Sequence, residues 1–236
     1  MSICCYYSNM LPAQPNQSLI DGLACLQAIA ARGGSVGVRE LGRELDIEPT
    51  KVSRLLGTLA HLGFAERDTE RRYRPGPAMH VLSAQSLIAS RLLAHALPVL
   101  LTLRDENLSV VLGVLWRNQV CYLYYLKPGQ SFTEGMFHFN LFPADNSSLG
   151  LVLLAAQPRR EVAGVKLTPV LRERLREVAA AGYCEIDRDG NERSLAVPVG
   201  KTPIAAIAFA GKYPAAASLR LRERLLAAAR EITEKL

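Results

Sequence analysis

Apolar residues recur every three or four positions through three short stretches between Ser18 and Leu62, and then the period changes. The first stretch, QSLIDGLACLQAIAARGG, sets Leu19, Leu23, Leu26 and Ala30 at helical spacing, with Ser18 as a plausible N-cap and Gly33-Gly34 as the stop. The second, GVRELGRELDI, turns Val38, Leu41 and Leu45 inward and leaves Arg39, Arg43 and Glu44 outside. The third opens at Pro49, which suits a first helical turn. Val52, Leu55, Leu56, Leu59 and Leu62 form its apolar stripe, opposite Lys51, Ser53 or Arg54, and Thr58. Gly63 ends it. FAERDTERRYRPG then alternates like two short strands around a polar turn. Three helices and a hairpin make a unit near the lower size limit for independent folding, roughly 55–65 residues.

Beyond Pro75-Gly76-Pro77 the pattern predicts a long helical segment over 78–107, bent near Pro98, whose first half reads as a linker helix. From Leu108 the chain alternates as strands. LSVVLGVLWRNQVCYLYYLK predicts a hairpin around Arg117-Asn118-Gln119, and SFTEGMFHFNLF a further strand. SSLGLVLLAAQ predicts a buried helix after PADN, and PVLRERLREVAAAGY an amphipathic one. RSLAVPVG and TPIAAIAFAGK predict a strand pair, and ASLRLRERLLAAAREITEKL a closing helix. The fold class is therefore α+β, with mostly antiparallel pairing in the second half. The expected organisation is a flexible tail over 1–17, a winged helix-turn-helix over 18–77, a linker helix over 78–95 and a second domain over 96–236.

Composition changes this picture little. The net charge of +6 suits a polyanionic partner, but the excess is spread along the chain, so only its placement on one surface is informative. Five cysteines (Cys4, Cys5, Cys25, Cys121 and Cys184) show no CxxC or Cys/His ligand spacing, which reads as reduced thiols in a cytoplasmic protein without a metal or cofactor. No basic segment followed by an apolar one resembles a signal peptide. No apolar run reaches the ~20 residues needed to span a bilayer. GxSxG, Walker and zinc motifs are missing, and Cys184 has no evident His partner, so an enzyme is not expected.

The combination of SLIDGLACLQAIA, VRELGRELDIEPTKVSRLLGTLAHLGFAERD and RRYRPGPAMHVL resembles the DNA-binding region of IclR-type bacterial transcriptional regulators. FPADNSSLGLVLLA, RSLAVPV and IAAIAFAGK resemble that family's effector-binding domain, which implies a GAF- or profilin-like fold with helices flanking the sheet. Departures fall inside the implied pocket. Asp145 and Leu151 stand where the family usually has His and Lys, Ser194 near a usual Cys, and Ala208 and Ala210 where serines are common. The resemblance implies a homodimer or dimer of dimers, formed through the N-terminal domain and linker, that binds a double-stranded operator.

Independently, an α-helix fits the major groove and presents its N-terminal side chains to base edges. Thr50, Lys51, Ser53 and Arg54 are the candidates on the third helix. Lys51 or Arg54 suits guanine, and Thr50 and Ser53 suit phosphates. Arg71 and Arg72 at the wing tip suit the backbone or a narrow minor groove, and Arg39 a phosphate. In the second domain, hydroxyls before an apolar helix place free N–H groups where a carboxylate can bind. By resemblance, Ser147, Ser148, Leu149, Asp187, Ser194, Ala208 and Ala210 line the pocket, joined by Trp116 and Tyr124. The expected effector is a small organic molecule, acidic or aromatic, and more apolar than a small hydroxy acid. The alternative is a small-molecule enzyme or binding module whose N-terminal domain mediates protein contacts.

Overall fold

The structure, a computed structural model, describes residues 14–137, 141–157, 167–188 and 192–236. The chain divides into two compact units, Met1–Ser90 and Arg91–Leu236. In the first, α1 (Gln17–Ala30), α2 (Val38–Leu45) and α3 (Pro49–His61) precede a hairpin of β1 (Ala65–Arg67) and β2 (Tyr73–Pro75), then α4 (Ala78–Ser90). Val36 bridges Tyr73 and widens the hairpin by one residue pair. The core gathers Cys25, Ile29, Leu41, Leu45, Val52, Leu56 and Tyr73. This is the winged helix-turn-helix order expected.

Two details of α1 differ from expectation. Asn16, not Ser18, is the N-cap, accepting from the Leu19 N–H at 3.1 Å. The helix also buries another face: Asp21, Ala24, Cys25, Ala28 and Ile29 turn inward, while Leu19 and Leu23 stay 60% and 52% exposed. Both faces have helical spacing. The inner one carries small residues, which let the α1 and α3 backbones approach closely. On α3, Val52 and Leu56 are fully buried, but Leu62 lies outside as the C-cap. Gly63 follows with φ 77°, the left-handed geometry that ends the helix. Helix α4 buries none of its residues.

In the second unit α5 (Leu92–Leu101) starts after Arg91, which takes a left-handed conformation (φ 56°). The helical break thus falls at Arg91, while Pro98 is accommodated inside α5. The strands are β3 (Ser109–Trp116), β4 (Gln119–Leu126), β5 (Leu141–Pro143), β6 (Cys184–Asp187), β7 (Glu192–Val199) and β8 (Ala205–Lys212). They form one antiparallel sheet in the order β5-β4-β3-β8-β7-β6. The helices α6 (Ser148–Ala156), α7 (Pro169–Ala181) and α8 (Ser218–Lys235) complete the unit. In place of one strand over 131–142, a 3-10 turn (Thr133–Phe137) precedes the short β5. Residues 138–140 lie outside the described residues. Gly135 packs under the Tyr124 ring, where a β-carbon would come within 2.8 Å.

The sheet has an apolar layer on each face. Val110, Leu112, Tyr124, Leu126, Leu195, Val197, Ile207 and Phe209 pack against α5 and α8. Val111, Val120, Ala196, Ala206 and Ala208 pack against α6 and α7. Gly150 of α6 lies against the Ala144 carbonyl, which a β-carbon would meet at 2.1 Å, so the helix can sit only here because residue 150 has no side chain.

Candidate functional site

On the N-terminal unit the proposed DNA face is built around α3. Glu48 caps the helix by accepting from the Lys51 N–H at 3.0 Å, and hydrogen bonds from Thr50 help hold its carboxyl below the usual range. Thr50, Ser53 and Arg54 follow, all exposed, as are Arg39 at the start of α2 and Arg71 at the wing tip. Arg71 has φ 61° and makes no ion pair among the described residues. Arg72 turns back instead. Its guanidinium donates to the Ser35 carbonyl at 2.9 Å and reaches Glu40 at 3.3 Å. Its backbone N–H helps close the wing turn on Asp68 at 2.8 Å. Glu40 also pairs with Arg32, which engages Glu44 as well. Arg72 therefore fixes the wing to α2. Lys51 is also held, in an ion pair between Nζ and the Asp21 carboxylate of α1.

On the second unit a cavity of about 290 Å³ opens beside the N-terminus of α6. Its lining combines aromatic walls from Tyr122, Tyr125 and Phe142 with the polar residues Asn146, Ser147 and Ser194 and, at the rim, the charged residues Arg188, Glu192 and Arg193. Tyr122 stacks on Phe142 with ring centroids 4.4 Å apart and lies 5.8 Å from Tyr125. Burial, reinforced by Tyr125, pushes the Tyr122 phenol above its ordinary value, so it stays protonated at neutral pH. Ser147 caps α6, accepting from the Gly150 N–H at 2.9 Å. Ser148 shares a 2.5 Å hydrogen bond with Ser194, tying α6 to β7. Arg188 donates to the Asn146 carbonyl at 3.2 Å. A cation, a helix N-terminus and a neutral phenol thus converge on one aromatic-walled space, a combination suited to a small carboxylate carrying a flat apolar body.

Of the nine residues expected at the pocket, Ser147, Leu149, Ser194 and Ala210 line it, and Ser148 braces it. The other four neither line nor brace it. Tyr124 lies on the opposite face of the sheet, in the α5–α8 core, against Phe132. Strand alternation puts Trp116 on that same side, with the Arg117 guanidinium 4.6 Å from its ring. Asp187 also points that way, paired with Arg193. Ala208 faces the correct side but is sealed beneath α6. Among the lining residues missed were Tyr122, Tyr125, Phe142, Asn146, Arg188 and Glu192. Tyr122 and Tyr125, an odd number apart, would normally face opposite ways. A β-bulge opposite Leu112/Gly113 adds a residue to β4 and brings both to one face. The nearest sequence signal is Gly113, whose missing side chain leaves room for Val120 and Leu149. Among the described residues no group of three His, Cys, Asp or Glu gathers as metal ligands would, and no single helix is long and apolar enough to cross a membrane.

The chain thus joins a winged helix-turn-helix unit to an antiparallel α+β unit with a ligand-sized cavity. Residues 18–69 match the IclR helix-turn-helix domain. The Pca regulon regulatory protein of Pseudomonas putida is 26% identical over 204 residues, 77% of this chain and 68% of that protein. An IclR homologue from Microbacterium hydrocarbonoxydans, solved in complex with 4-hydroxybenzoate, shares the fold with a TM-score of 0.69 at 24% identity, over 93% of this chain and 98% of that one. An IclR family transcriptional regulator from Brucella abortus does so with a TM-score of 0.74 at 22% identity, over 94% of each chain. Residues 18–69 therefore carry an IclR helix-turn-helix domain, and the whole chain shares its fold with solved IclR-family regulators.

Proposed function

We propose that this regulator binds a pseudo-palindromic operator as a dimer and that a small aromatic carboxylate in the cavity beside α6 adjusts that binding. The observation that carries the effector reading is the cavity itself: three aromatic rings, the Arg188 guanidinium and the α6 N-terminus around about 290 Å³. An aromatic acid satisfies all three at once, its ring against Tyr122 and Phe142 and its carboxylate toward Arg188. The 4-hydroxybenzoate in the Microbacterium homologue and the name of the Pseudomonas relative support the same ligand class. Ala210, where the family commonly has Ser, makes the wall more apolar and agrees with an aromatic body.

On the other unit, Arg54, Ser53 and Thr50 address the major groove, with Arg39 and Arg71 on adjoining phosphates. Dimerisation uses the apolar surface that the N-terminal unit leaves uncovered: Leu19 and Leu23 of α1, and Val81, Leu82 and Ile88 of α4. The ligand changes operator occupancy by binding one arrangement of the dimer more tightly than another.

The test is a mobility-shift titration on fragments flanking the chain's own gene, over a salt series, with and without 4-hydroxybenzoate. The expected outcome is preference for one fragment, a steep fall of affinity with salt, and a shift of the midpoint on adding the acid. Salt-insensitive binding without fragment preference overturns the operator reading. Unchanged binding across a panel of aromatic monocarboxylates overturns the effector reading.

A further inference from the structure

Asp21 is the one charged residue buried among the described residues of the N-terminal unit, only 6% exposed on the inner face of α1. A carboxylate in that position is costly unless it is paired and hydrogen-bonded. Its partners are the Gln17 amide, which donates at 2.7 Å, and the Lys51 ammonium in the first turn of α3. Lys51 is thereby held at both ends: its backbone N–H goes to Glu48 and its Nζ goes to Asp21. An apolar residue at position 21 would fill the α1–α3 seam without that cost, so packing alone does not explain the pair. Ser53 and Arg54, two and three positions further along α3, stand exposed on the surface that Lys51 leaves.

We propose that the Asp21–Lys51 pair is a positioning device that fixes the rotation of α3 about its own axis, and that Lys51 reads neither base nor phosphate. This rests on α3 being the operator-reading helix. A few degrees of helix rotation displace a long side chain such as Arg54 from a base edge, so the pair sets the aim of residues it does not touch. Since α1 also carries the exposed Leu19 and Leu23, the pair ties the reading helix to the proposed dimer surface.

The two roles for Lys51 predict opposite signs. The probe is the duplex that the full-length wild-type protein selects from a random pool. Asp21→Asn releases Lys51. If the pair positions α3, affinity falls about fivefold or more, while the slope of log K against log salt stays as in wild type. If Lys51 instead contacts DNA, releasing it leaves affinity equal or higher and the slope equal or steeper, and that result overturns the proposal. The double variant Asp21→Asn/Lys51→Met removes both buried-seam charges and serves where the single variant melts early. It is expected to bind no worse than Asp21→Asn, with an unchanged slope. A slope reduced by about 0.9 per lost phosphate contact overturns the proposal. Failure of the wild-type protein to select any duplex is a different result: it removes the operator reading, and the positioning role with it.

Discussion

Arg188 and Arg193 both border the cavity, yet the Arg193 side chain turns to the sheet face of Asp187, away from the opening. Arg193 lies between Glu185 and Asp187, so its charge is already compensated. Arg188 spends one hydrogen bond on a carbonyl and makes no ion pair among the described residues. An incoming carboxylate therefore gains most from Arg188, where a charge-assisted hydrogen bond contributes about 1.5–3 kcal/mol. Arg188→Gln is expected to weaken 4-hydroxybenzoate binding roughly 10- to 100-fold by calorimetric titration with the melting temperature preserved. Arg193→Gln should do the reverse, lowering the melting temperature more than the affinity. The thiols give a second check. Cys25 and Cys184 are buried, and burial raises both to about 11. Both are protonated and inaccessible at pH 8, so native protein should resist iodoacetamide at these positions while unfolded protein reacts at once, read by peptide mass spectrometry.

The junction between α5 and α8 depends on a short acidic turn. Glu106 accepts from Arg220 at 2.6 Å and also pairs with Arg224, which reaches Asp105 at 3.0 Å. The Arg220 hydrogen bond, with Arg224 behind it, holds the Glu106 carboxyl below its ordinary value of 4.5. A depressed carboxylate stabilises the fold above the unfolded value, and that contribution is lost as pH falls through the lower folded value. The melting temperature of the second unit should therefore drop between pH 5 and acid, and Glu106→Gln should flatten part of that drop while lowering the neutral-pH plateau. Gly150→Ala tests packing on the other face. Its β-carbon cannot avoid the Ala144 backbone, so a loss of about 1–3 kcal/mol is expected in a denaturant titration. These elements also show what could be read in advance. Helix and strand order was legible because burial writes its period into the residues, as in α3 and β8. The buried face of α1 was not, because Leu19-Leu23 and Ala24-Ala28 share one spacing and only the partner helix chooses between them. The pocket was half legible. Ser147 and Ser194 sit at element ends that motif order locates, but the β4 bulge that gathers Tyr122 and Tyr125 comes from strand pairing, which no local pattern encodes.

Each unit has its own core, so the proposed ligand and the proposed duplex would meet different cooperative structures. Binding to the cavity should raise the melting transition of the second unit by mass action, and Arg188→Gln should abolish that rise. This alone does not make a regulator, since a ligand that binds all arrangements of the dimer equally shifts nothing, however tightly it binds. Regulation requires a coupling free energy, typically about 1–3 kcal/mol, and coupling is reciprocal. If 4-hydroxybenzoate changes operator affinity by some factor, saturating operator must change the affinity for 4-hydroxybenzoate by the same factor in the same direction. Two titrations on one protein settle it: duplex affinity with and without the acid, and acid affinity with and without duplex. Equal factors of about 5–150 establish the two sites as one linked system. Tight binding of the acid, with both factors equal to one, would make the cavity a ligand site without authority over the helices proposed to read DNA.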